Sequence, residues 1–89
     1  MKAIVTVVGK DRVGIIAEVC VELASYNVNV LDINQTVMQG YFTMMMVVDV
    51  SDASLPLAEL AKQMEDRGRE MNLSIRLQRE DIFEAMHRV

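Results

Sequence analysis

KAIVTVVGKDRVGIIAEVCVELAS, residues Lys2–Ser25, changes its period part-way along. From Lys2 to Val8 apolar, mostly β-branched residues fill both alternating parities, the pattern of a strand covered on both faces and so placed centrally in a sheet. The strand ends at Gly9. After the loop GKDRVG, Ile15, Ile16, Val19, Cys20 and Leu23 recur at helical spacing, with Glu18, Glu22 and Ser25 between them. Asn27 closes this helix. A buried strand that feeds an amphipathic helix through a short glycine-bounded loop is the first half of a split β-α-β unit.

The rest of the chain completes that unit. Residues 28–39 alternate irregularly, with Val30, Leu31, Ile33 and Val37 interrupted by Asp32, Asn34, Gln35 and Thr36, which reads as an edge strand. Gln39-Gly40 supplies a turn, and beyond it Phe42, Met44, Met46, Val48 and Val50 share one parity of a second hairpin strand. Asp52 and Ser54 are expected as caps of a second helix with Pro56 in its first turn. Leu57, Leu60, Ala61, Met64 and Met71 form its apolar stripe, and Gly68 is expected to weaken its end. Leu73, Ile75 and Leu77 alternate with Ser74, Arg76 and Gln78 as a half-buried edge strand. Residues 81–89 place Ile82, Phe83, Met86 and Val89 on a helical tail too short to stand alone in water, so it must dock. The expected fold is α+β, a ferredoxin-like βαββαβ plait: an antiparallel four-stranded sheet, two helices on one face, and a short C-terminal helix. Residues 1–80 form the domain and 81–89 the tail. Met45 and Val47 fall on the uncovered face.

Length and composition limit what such a plait can do. An 89-residue chain that is 52% hydrophobic and 25% charged builds one thin core, burying roughly 60% of its unfolded surface, so a homodimer or larger assembly is expected to add buried area. Nine basic residues stand against thirteen acidic ones, a net charge of -4, with no basic stripe, which argues against nucleic acid as a partner. The lone Cys20 and an N-terminus without signal-peptide character point to the cytoplasm. The most apolar run, Phe42–Val50, is far below the roughly 20 residues of a membrane span, and no membrane association is expected.

Fold alone decides no function; the chemistry lies in the loops. The loop after the first strand lacks the Cys-x-x-Cys of a metal carrier. The first strand lacks the aromatics on which RNA bases stack. An acylphosphatase-like enzyme needs an arginine early in the first helix, where Ile15, Ile16 and Ala17 stand. No nucleophile and base share a cleft, so no enzyme is expected. What is left is binding at the strand-to-helix junction, where unpaired helix amides and the positive dipole end suit a carboxylate. Gly14 opens the backbone there or provides tight packing. Asp11 caps the helix or meets the ligand; Arg12 is a solvated cation or an anion contact.

Asp11-Arg12-x-Gly14-Ile15 at this junction, Asn-Val-Asn-Val-x-Asp-Ile over Asn27–Ile33, and the plait order over Lys2 to about Arg79 together resemble an ACT domain. QTVMQGYFTMMMVVDV (residues 35–50) and the ending DIFEAMHRV (residues 81–89) are similar to a family of stand-alone bacterial and archaeal ACT proteins, UPF0237. The resemblance implies a regulatory module that binds a small molecule, an amino acid among the candidates, through Asp11, Arg12, Val13, Gly14 and Ile15, with Asn34 or Gln35 contributed by a neighbouring subunit. Val13 stands where many ligand-binding members carry proline, which implies a less rigid loop. The alternative is an assembly or adaptor module whose surface is the open sheet face and the tail. No cofactor or metal is expected: Met44, Met45 and Met46 point to alternate faces and cannot converge on one ion. His87 reads as a tail surface residue and Cys20 as an inert buried-face thiol.

Overall fold

β1 (Lys2–Lys10) is the second-last strand of a sheet ordered β2-β3-β1-β4, flanked by β3 (Tyr41–Asp49) and β4 (Leu73–Arg79), with β2 (Asn29–Met38) at the far edge. This computed structural model describes residues 1–87, with side chains as far as Ala85; the expectations for Val89 and for the side chains of Met86 and His87 lie outside what is described. All three strand pairings are antiparallel, with Val5 opposite Met46 and Leu77, and Val7 opposite Met44 and Ile75. α1 (Ile15–Ser25) and α2 (Leu57–Glu70) cover one face of this sheet. The expected plait is therefore the observed fold, with β1 central and β2 and β4 at the edges.

Parity explains the core. Ala3, Val5 and Val7 of β1, Met44, Met46 and Val48 of β3, and Leu73, Ile75 and Leu77 of β4 all point to the helices and are buried against Ile15, Val19, Leu23, Leu60 and Met64. Each valine, leucine, isoleucine or methionine among them contributes about 1.5–3 kcal/mol relative to an exposed one. The three methionines obey the same alternation: Met44 and Met46 are fully buried, while Met45 is 39% exposed on the other face.

β2 alternates poorly for a physical reason. Val30 pairs with Val48 and Asp32 with Val47, so Leu31 is an extra residue in a β-bulge that resets the parity of everything after it. Ile33, Gln35 and Val37 thus lie on the helix side, opposite Met46, Met44 and Phe42. Gln39 and Gly40, at φ 51° and 82°, form the two-residue hairpin turn with both central residues left-handed.

Local details depart from expectation at the caps. Neither Asp52 nor Ser54 caps α2: Pro56 occupies the N-cap position without a side-chain hydrogen bond, and the helix starts at Leu57. The 51–56 loop is tied instead to the corner after α1, where Asn27 Nδ2 donates to the Asp52 carbonyl at 2.9 Å and the Ser54 amide to the Tyr26 carbonyl at 2.9 Å. Gly68 does more than weaken a helix end. A Cβ there would sit 2.8 Å from Ile75 Cγ1 and 3.0 Å from the Leu73 carbonyl oxygen, so its bare backbone lets α2 rest directly on β4. α3 (Glu80–His87) begins immediately after β4 and contacts β1 and β4.

Candidate functional site

The loop from β1 to α1 is fixed at both ends. The Asp11 amide donates to the Gly40 carbonyl at 2.9 Å, tying the loop to the β2–β3 turn. Gly14 is the N-cap of α1 at φ 90°, ψ 2°, a left-handed conformation that disfavours a side chain, and its carbonyl accepts the Glu18 amide at 2.9 Å. No side chain caps the helix. The amides of Ile15, Ile16 and Ala17 precede the first intrahelical donor, the Glu18 amide, and are left to whatever occupies the space in front of them.

That space is an open crevice of about 230 Å³, floored by Phe42 and walled by the α1 start, the Asp11–Gly14 loop, and Gln35 and Val37 of β2. Its polar lining residues are Asp11, Arg12 and Gln35, beside the start of α1. Phe42 is buried and Val37 exposed, so the apolar part of the lining continues out onto the β2 edge. Arg12 bends back over the first turn, donating from Nη2 to Glu18 Oε2 at 2.7 Å and from Nη1 to the Val13 carbonyl at 3.3 Å. The Arg12 hydrogen bond holds the Glu18 carboxyl below its ordinary value, and Glu18 in turn complements the positive end of the helix.

Asp11, Arg12, Gly14, Ile15 and Gln35 therefore line one crevice. The other two expected positions lie elsewhere. Val13 is 98% exposed at the tip of the loop and does not line the crevice. Asn34 faces the opposite side of the sheet, paired with Met45, because the bulge at Leu31 puts Gln35 and not Asn34 on the helix side. Asp11 does not cap α1, and Gly14 is not there for close packing, since a Cβ on it would meet nothing within 4 Å; its backbone angle is the reason for glycine. Ile16, Ala17, Val37 and Phe42 complete the lining and were missed. A signal for two of them lay in the turn: counting outward from Gln39-Gly40 in a two-residue hairpin pairs Val37 with Phe42 and sets both beside Gln35.

Cys20 is half-buried on α1, and burial raises its thiol above the ordinary value. No three His, Cys, Asp or Glu side chains among the described residues are grouped to hold a metal ion. No helix among them is long and apolar enough to cross a membrane.

Compared with known proteins, residues 2–78 match the family model described as the ACT domain. The chain belongs to the ACT-domain family. This ACT protein is 53% identical over 88 residues to a UPF0237 protein of Bifidobacterium longum, covering 99% of this chain and 98% of that one. It is 44% identical over 88 residues to a UPF0237 protein of the archaeon Methanocaldococcus jannaschii, again at 99% and 98% coverage. Among solved structures, an ACT domain protein from Streptococcus pneumoniae superposes with a TM-score of 0.83 at 47% identity, covering 98% of both chains. These relatives match end to end, so the ACT fold and the segment after β4 recur together at the length of a single small chain. ACT domains are a family of regulatory ligand-binding modules.

Proposed function

We propose that this ACT protein is a cytoplasmic regulatory module that binds a small molecule at the junction of β1 and α1, an amino acid by the chemistry of the crevice, and acts through homo-oligomerisation. The observation that carries the reading is the uncapped start of α1, open to a crevice that the chain's own side chains do not fill. The amides of Ile16 and Ala17 suit a carboxylate, where the helix dipole adds to the hydrogen bonds. Asp11, uncommitted as a cap, and the Gln35 carbonyl oxygen suit an ammonium group. Val37 and Phe42 suit an aliphatic side chain. The crevice brings no hydroxyl, thiol or imidazole to its lining, which supports binding and not catalysis. Because Val37 and Gln35 sit on an edge strand, a second subunit beside β2 would close the crevice.

The test is a thermal-shift screen of the twenty amino acids followed by calorimetry. A ligand at a hundred times its Kd stabilises the folded state by about 2.7 kcal/mol, which for a domain of this size is a rise of roughly 10 °C or more. Asp11→Ala should then weaken that ligand about tenfold, the loss of one charged hydrogen bond at an exposed site. A screen in which no amino acid at 10 mM moves the melting temperature leaves the adaptor reading, favoured by the exposed apolar side chains of the open sheet face.

A further inference from the structure

Asp11 and Arg12 are the only charged residues that line the crevice, and their situations differ. Asp11 makes no ion pair among the described residues, so its carboxylate is uncompensated. Arg12 gives its Nη2 to Glu18 Oε2 at 2.7 Å and its Nη1 to the Val13 carbonyl at 3.3 Å. Lys10, the nearest other cation along the chain, ends β1 opposite Tyr41 and does not line the crevice.

The pair follows from local structure. Glu18 lies in the first turn of α1, and helical side chains lean toward the N-terminus, so its carboxylate reaches back over the loop that carries Arg12. No other cation draws it away: Arg67, whose charge Glu18 also feels, donates to Glu22 Oε2 at 3.4 Å and to Glu70 Oε2 at 2.9 Å. Without Glu18 the crevice would offer anions two places, the helix amides and a free guanidinium. With it only the amides remain, beside the unpaired Asp11 carboxylate.

We infer that Glu18 is a specificity-determining residue of the crevice, standing outside its lining and acting through Arg12 to confine the site to amino acids with uncharged side chains. The inference rests on the amino-acid reading and adds the class of ligand. A bound amino acid's own carboxylate and ammonium are matched by the α1 amides and by Asp11. A second carboxylate, on an acidic side chain, then meets no free cation and is repelled by Asp11. Both partners of the pair are exposed, Arg12 38% and Glu18 47% in their side chains, so the bias is several-fold and not orders of magnitude.

Calorimetric titration of the full chain with each of the twenty amino acids at low ionic strength, where exposed pairs are least screened, tests this. The matched pairs L-glutamine with L-glutamate and L-asparagine with L-aspartate differ by one charge at nearly equal size. The wild type should bind the neutral member of a pair about threefold more tightly or better. Glu18→Gln releases Arg12 and should shift that ratio about threefold toward the acidic member. Arg12→Gln combined with Glu18→Gln, again without a free cation, should restore the wild-type ratio. A Glu18 that only stabilises the helix would weaken both members alike and leave the ratio where it was, which overturns the inference. So does a wild type that takes glutamate or aspartate as tightly as its amide, or one that binds an uncharged amino acid and keeps the same spectrum in Glu18→Gln. Those results leave the amino-acid reading standing; a wild type that binds none of the twenty ends both.

Discussion

Replacing Gly68 by alanine sets two effects against each other, and the structure says which wins. Within a helix, glycine is ordinarily worse than alanine by about 0.5–1 kcal/mol, so the exchange should stabilise. At this position the new Cβ would lie 2.8 Å from Ile75 Cγ1, 3.1 Å from Ile75 Cβ and 3.0 Å from the Leu73 carbonyl oxygen. Carbon atoms pack best at about 3.5–4.0 Å, so a relief of more than half an ångström is required. Ile75 is itself fully buried and Leu73 is held by its pairing with Gly9, so neither yields cheaply. Overpacking of this kind costs about 1–3 kcal/mol. The net expectation is a loss of about 1–2 kcal/mol, a melting temperature lower by roughly 5–15 °C, and an unchanged urea m-value. Lys62→Gly, on the exposed face of the same helix, is the control: it should cost about 1 kcal/mol by propensity alone. If Gly68→Ala is as stable as the wild type or more so, α2 does not rest on β4 as described and the reasoning from close approach is wrong.

Two further predictions concern the junction. Gly14→Ala should destabilise by about 1–2 kcal/mol through its backbone angle, with Gly14→Asn costing less because asparagine tolerates the left-handed region; equal costs in chemical denaturation would refute the conformational explanation. Arg12→Gln should raise the Glu18 pKa toward its ordinary value in a carboxyl-carbon NMR titration. Because the folded-state pKa of Glu18 is depressed, the stability linked to it is present above the ordinary value of 4.5 and is lost as pH falls through the folded one. Acid unfolding of Arg12→Gln should accordingly lose this contribution, and an unmoved Glu18 titration would show that the ion pair does not form in solution.

The strands and helices were legible because each keeps one period along its length: β1 is β-branched on both parities, β3 and β4 alternate, and α2 has a stripe with a wet opposite face. Three features hid from the same reading, each for a reason of geometry. A bulge adds one residue without any compositional mark, so the sequence could not choose between Asn34 and Gln35; the extra residue Leu31 puts Gln35 on the crevice side. Capping residues are defined by φ and ψ and by rival partners; Asp52 and Ser54 have the right chemistry but their backbone groups serve the corner at Tyr26 and Asn27. Gly14 and Gly68 look alike in sequence, but one is required by a torsion angle and the other by a neighbour. The candidate site was legible as a place, the segment from Asp11 to Ile15, and not as an enclosure, since its floor and far wall, Phe42 and Val37, come from pairings distant in the chain.

The position of β1 has a consequence for how the chain comes to exist. The first strand of the domain is hydrogen-bonded on one side to residues 41–49 and on the other to residues 73–79. A nascent chain halted anywhere before Leu73 would hold a long β-branched strand with one row of peptide groups unclaimed, which is a template for pairing with another such fragment. Folding of the domain therefore waits for residues 73–79 and must close long loops first, which makes it slower than a helical bundle of equal size. Truncated products of this gene are expected to be cleared or to clump, not to work in part.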